Sequence, residues 1–161
     1  MKLIDLSHPL EHGQLNFPLD PKISVVVHNT VASIGYNITQ ISMSTHQGTH
    51  LDAPFHFYDD GKTLDQMRLE QFYGKTTLID LAPGSALAAK TPLTIERFAP
   101  HAEKFQPGAK VILLKAGVEI VIVEGLTHLE QLPETFIFMG FPLNIKGRDG
   151  APIRAVALVE D

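Results

Sequence analysis

The sequence predicts a mixed α/β fold with a β-rich mixed sheet and few helices. Short apolar or alternating runs of strand length outnumber segments with helical spacing. Only the stretch after Thr94 repeats apolar residues with a helical period over several turns. No linker, repeat or low-complexity stretch interrupts the 161 residues, so a single domain over 1–161 is expected.

The elements follow in chain order. Residues 3–6 form a short strand ended by Ser7-His8-Pro9. Phe17-Pro18-Leu19-Asp20-Pro21 is a loop with two prolines, and residues 23–28, rich in valine, form the next strand. Residues 36–44 alternate with mixed faces, which suits a strand with one face towards a polar cavity. Asp59-Asp60-Gly61-Lys62 is a turn. Residues 64–72 suit a short helix and 76–81 a strand. Thr94 fits an N-cap, with Ile95, Phe98, Ala99, Ala102 and Phe105 at helical spacing, and Pro107-Gly108 closes that helix. Two apolar strands, 111–114 and 118–123, are separated by Lys115-Ala116-Gly117. Residues 126–132 suit a helical segment, 136–141 a buried strand, 147–150 a turn and 155–159 a last strand.

Composition narrows the function. A chain of this length buries roughly two thirds of its unfolded surface. A net charge of −5, with no Lys/Arg cluster, argues against nucleic acid as a partner. Cys is absent, so there is neither a disulfide framework nor a thiolate site. Met1-Lys2-Leu3-Ile4-Asp5 lacks the apolar stretch of a signal peptide, and no run approaches the length of a membrane span. A cytoplasmic protein without a membrane partner is expected.

The chemistry is concentrated in residues 46–57, His-Gln-Gly-Thr-His-Leu-Asp-Ala-Pro-Phe-His-Phe. Three of the 8 histidines fall in positions 46–56, where an even spread would put about half of one. His46, His50, Asp52 and His56 all have even numbers, so extended backbone would project them to one side. A helix would align only His46 with His50. Gly48 allows a local bend, and Pro54 disfavours a continued ladder. Imidazole nitrogen and carboxylate oxygen suit zinc, manganese or iron, and three protein ligands leave a position open for water. A solvated loop has no need of these residue types at this spacing.

The run His46-x-Gly-Thr-His50-x-Asp52-x-Pro54-x-His56 resembles the signature of the cyclase family that includes bacterial kynurenine formamidases and isatin hydrolases. The likeness extends to Asp5-Leu6-Ser7-His8-Pro9, to Phe17-Pro18-x-Asp20, to Val123-Glu124-Gly125-Leu126-Thr127 and to the stretch from Pro142 to Ala155. It implies a swivelling β/β/α-like fold, hydrolysis of an amide bond in a small-molecule substrate, and a homo-oligomer, dimer or larger. Carried over by position, it implies that His46, His50 and Asp52 hold Zn2+ or Mn2+. Glu124 is then a further ligand where a second ion binds, and His56 is the acid/base residue.

One departure stands out. Family members run several tens of residues longer between the strands matching 110–115 and 118–123, and that stretch carries a further histidine ligand. Here Ala116-Gly117 joins the flanks, and no histidine lies between His101 and His128. The gap favours an alternative reading, a non-catalytic protein binding a metal or small ligand on the same scaffold. Loss of a core strand also leaves an apolar edge, which favours association.

Other residues have plainer readings. Without the resemblance, a solvated strand end and a site suit Glu124 equally. His56 has an alternative as a fourth ligand or as a donor to Asp52. Asp5 and Asp80 suit caps or turns, and Arg154 suits an ion pair. His8, His28, His101 and His128 suit structural or exposed positions. Phe17, Phe55 and Phe57 suit the core, with stacking on an aromatic substrate the lesser reading.

Overall fold

The computed structural model describes residues 1–79, 81, 92, 94–104, 110–111 and 122–160. The expected junction at Lys115-Ala116-Gly117, most of the two strands flanking it, Asp80, and the helix end at Phe105 and Pro107-Gly108 lie outside the described residues.

Strands dominate, as the sequence predicts. They are β1 (Lys2–Asp5), β2 (Ser24–Asn29), β3 (Ile38–Ser42), β4 (His50–Asp52), β5 (Tyr73–Thr77), β6 (Lys110–Val111), β7 (Ile122–Glu124), β8 (Thr135–Met139), β9 (Gly150–Pro152) and β10 (Val156–Val159). A five-stranded sheet has the order β1-β10-β8-β5-β6, antiparallel except for the parallel β5–β6 pair. A three-stranded sheet, β7-β4-β9, is antiparallel throughout, and β2–β3 is a two-stranded ribbon.

The two larger sheets share one core. Leu51 of β4 and Ala151 of β9 cluster with Phe136 and Phe138 of β8 and Ala157 of β10. At roughly 25 cal/mol per Å2 of apolar surface removed from water, each large side chain there stabilises the fold by about 2 kcal/mol. Backbone bonds tie the sheets together: Leu6 N–H donates to the Ala155 carbonyl, and Thr127 N–H donates to the Leu6 carbonyl. Leu51 therefore anchors β4 from beneath, and the alternation of the strand turns His50 and Asp52 to the opposite face.

Several elements differ from expectation. Residues 64–72 form two 3-10 turns, Leu64–Gln66 and Leu69–Phe72, because Met67 and Arg68 are extended between them. A short helix not expected from the sequence, α1, spans Val31–Ile34, and the expected helix after Thr94 is α2, Ile95–Phe98, which tightens into a 3-10 stretch, Ala99–Lys104, kinked at His101. Thr94 has extended N-cap backbone but makes no side-chain capping bond. Leu129–Gln131 is a single 3-10 turn rather than a longer helix. β3 is mostly exposed and pairs with β2 alone among the described residues. Phe17 and Phe57 are 66% and 50% exposed, so neither is a core residue. The turn expected at 147–150 gives way at Gly150, which opens β9.

Candidate metal centre

β4 is the middle strand of its sheet and is buried along its whole length. Across it, His50 pairs in register with Glu124 of β7 and with Pro152 of β9, and Asp52 pairs with Gly150. Directly opposed residues share a face, so Glu124 lies beside His50, with Oε2 3.9 Å from His50 Nε2. Asp52 and His50 are both buried. His50 Nδ1 lies 2.8 Å from the Gly48 carbonyl, which can only accept, so Nδ1 carries a proton. Its Nε2 is then turned to Asp52 Oδ1, 3.4 Å away.

His46 arrives by a different route from the one its spacing suggests. It sits in a turn before β4, and Gly48, at φ +66°, swings the chain back into the strand. His46 Nδ1 thereby comes 2.8 Å from Asp52 Oδ1. The even numbering gives a common strand face only to His50 and Asp52; a turn delivers His46 and a 3-10 turn delivers His56. Gly150 makes room for the His46 ring. A Cβ there would stand 2.7 Å from His46 Cε1 and 2.9 Å from the Leu51 carbonyl oxygen.

His56 ends the 3-10 turn Pro54–His56 that follows β4, started by the fixed φ of Pro54. Its ring centroid is 3.9 Å from that of His46. Its side chain is 31% exposed, against 13% for His46, so it is the more solvent-facing of the two rings. Its Nδ1 faces Asp149 Oδ2 at 3.4 Å, not Asp52.

Asp149 is the residue that sequence reasoning missed. Its Oδ2 lies 2.7 Å from His46 Nε2, and Thr45 donates its hydroxyl to Oδ1. The only signal was its place in the Gly147-Arg148-Asp149-Gly150 run within the C-terminal likeness.

Electrostatics follow from this geometry. Burial opposes a charge on His46, yet hydrogen bonds to Asp52 and Asp149 raise its pKa to about 9. Burial likewise opposes the charge of Asp149, but hydrogen bonding from His46 holds its carboxyl below the usual range.

His46, His50 and Asp52 each offer a ligand atom within 4.8 Å of the others, as do His46, His56 and Asp149. The first set fits a divalent ion on its own chemistry. With Nδ1 engaged by the Gly48 carbonyl, His50 turns Nε2 to the Asp52 carboxylate, and imidazole nitrogen beside carboxylate oxygen is a donor set that suits zinc or manganese. Glu124, with its side chain 44% exposed, borders the same point from the solvent side.

The remaining expectations resolve simply. Arg154 forms a two-pronged ion pair with Asp5, whose Oδ1 also accepts the Ser7 N–H. His8 and His28 are exposed, and His128 Nδ1 bonds the Asp5 carbonyl.

Residues 4–150 match the family described as Putative cyclase, and the chain belongs to that family. It is 36% identical over 90 residues to the kynurenine formamidase of Bacillus anthracis, a match taking in 55% of this chain and 43% of that protein. The chain thus spans less than half of the curated relatives it matches. The fold is similar to that of isatin hydrolase A from Labrenzia aggregata, with TM-score 0.78 and 21% identity over 99% of this chain and 94% of that one. A structure described as a potential metal-dependent hydrolase with cyclase activity gives TM-score 0.66 and 21% identity, covering 97% and 96% of the two chains. These neighbours share the sheet-rich fold expected from the sequence. Among the described residues, no helix is long and apolar enough to cross a membrane.

Proposed function

We propose that the protein is a metal-dependent hydrolase of an amide bond, similar to kynurenine formamidase, acting on an N-formyl aryl amine or a cyclic amide. The observation that carries this reading is the convergence of His46 Nδ1, His50 Nε2 and Asp52 Oδ1 on one point, with the His50 tautomer set by Gly48. His46, His50 and Asp52 would hold Zn2+ or Mn2+, and Glu124 would serve as a further ligand where a second ion binds. Both metals accept these donors.

A bound dication would supply an activated water and polarise the substrate carbonyl. The chain's own residues do the rest. Hydrolysis breaks the C–N bond, water oxygen ends in the carboxylate product, and the amine departs with an added proton. His56 stands at the solvent side of His46 and is the residue to deliver that proton. Phe57, half exposed and 4.4 Å from the His56 ring, offers an apolar surface to an aromatic substrate.

The working protein is a cytoplasmic homo-oligomer, dimer or larger. The exposed apolar residues Val27 and Ile41 of the β2–β3 ribbon and Leu15, Phe17 and Leu19 of the preceding loop support assembly.

Elemental analysis of the purified protein, followed by hydrolysis assays on N-formylkynurenine and isatin with added zinc or manganese, tests the reading. Metal and turnover together support it. Metal without turnover on either substrate leaves the binding-protein alternative, which the short 115–118 junction favours.

A further inference from the structure

Asp149 stands 103 positions from His46 in the chain, yet its carboxylate lies between His46 and His56. The fold fixes it there by backbone rather than by side-chain accident. The Asp149 carbonyl accepts the Ala53 N–H at 2.7 Å, just before the 3-10 turn that bears His56. The next residue, Gly150, pairs with Asp52. One short segment is therefore stitched to the end of β4, where Asp52 leads into the turn that bears His56.

An imidazole that gives one nitrogen to a metal keeps its proton on the other, and that N–H needs an acceptor. His46 has Nδ1 against Asp52 and Nε2 against Asp149. Resting on the metal reading above, we infer that Asp149 is a positioning residue: it accepts the His46 Nε2–H, so that Nδ1 becomes the ligating atom, and it holds His56 by Nδ1. The Nε2 of His56 is then the nitrogen left to exchange a proton with substrate. Asp149 thus links the ion-holding cluster to the proton-transfer residue, and a single carboxylate orients both rings.

The competing roles are a metal ligand in its own right, since its oxygen also lies with His46 and His56 nitrogens, or a merely structural ion pair. They separate by experiment. Zinc affinity is measured by chelator competition, and His46 coordination by long-range 1H–15N spectra of the zinc-loaded protein, for wild type, Asp149→Ala, Asp149→Asn and His50→Ala. In wild type, the His46 proton is expected on Nε2 with Nδ1 bound. Asp149→Ala should keep its full zinc stoichiometry, bind roughly 10–100-fold more weakly and lose the ordered Nε2–H signal. Asp149→Asn, whose side-chain oxygen accepts the same bond, should recover part of both.

Affinity and His46 spectrum unchanged in Asp149→Ala would overturn the inference. So would a lost zinc ion with no recovery in Asp149→Asn, which marks a direct ligand. Wild type taking up no zinc, or His50→Ala binding it equally well, would sink the metal reading itself, and the two failures are thereby distinguishable.

Discussion

His50 and Glu124 face each other across the β4–β7 pairing, with Nε2 and Oε2 3.9 Å apart. One is buried and the other reaches solvent, so the pair forms the rim of the cluster rather than its floor. On this arrangement Glu124→Ala should leave the ion held by His46, His50 and Asp52 in place. It should remove any second ion and lower turnover at least about tenfold, roughly the loss of one interaction worth 1.4 kcal/mol. Metal analysis beside steady-state kinetics checks this; loss of all metal would place Glu124 in the primary ligand set.

His56→Ala should retain metal while losing roughly 10^2–10^4 in kcat, the range that general acid–base catalysis supplies. Among the described residues, its side chain meets the cluster at the His46 ring and at Asp149. Release of the ion in this variant would show that His56 is a ligand.

Gly150→Ala would place a methyl group 2.7 Å from His46 Cε1 and 2.9 Å from a backbone oxygen. The ring must move, because the carbonyl belongs to the central strand. Metal affinity should fall, with a stability loss of about 1–3 kcal/mol from overpacking. Chelator competition and urea unfolding read the two effects separately; an unchanged affinity would mean that the His46 ring moves without cost to the site.

Acid sensitivity should have a contribution away from the site. Hydrogen bonding to Arg154 holds the Asp5 carboxyl below its ordinary value of 3.8. A carboxyl lowered in the folded state adds stability that is fully present above 3.8 and lost as pH falls through the lowered value. The pair is largely exposed, so the effect is small. Asp5→Asn should shift the urea midpoint at neutral pH and have less effect at the acid end. An equal shift at both would assign its role to packing.

Much of the site is legible in the sequence because its chemistry is local. His46, His50, Asp52 and His56 come from eleven consecutive positions, and residue type alone marks them. Their path is not legible. Parity suggested one extended strand, whereas the positive φ of Gly48 and the 3-10 turn at Pro54 do the converging. Asp149 could not be found by spacing, because β9 brings it from the far end of the chain. The positions of β1, β2, β8 and β10 were readable to within about two residues, since alternation and β-branched content reflect the pleat, whereas β9 was not, because Gly150 suits a turn equally well. The short 3-10 turns were not, because one turn carries too few residues to show a period. Phe17 and Phe57 were misplaced for another reason: apolar character does not reveal which side chains tertiary packing covers.

The central claim is that one divalent ion sits among His46, His50 and Asp52. Anomalous diffraction from crystals grown with zinc tests it most directly. The account predicts a peak about 2.0–2.2 Å from His46 Nδ1, His50 Nε2 and Asp52 Oδ1. Zinc-soaked crystals with no peak there, and with these side chains turned away from one another, would contradict it.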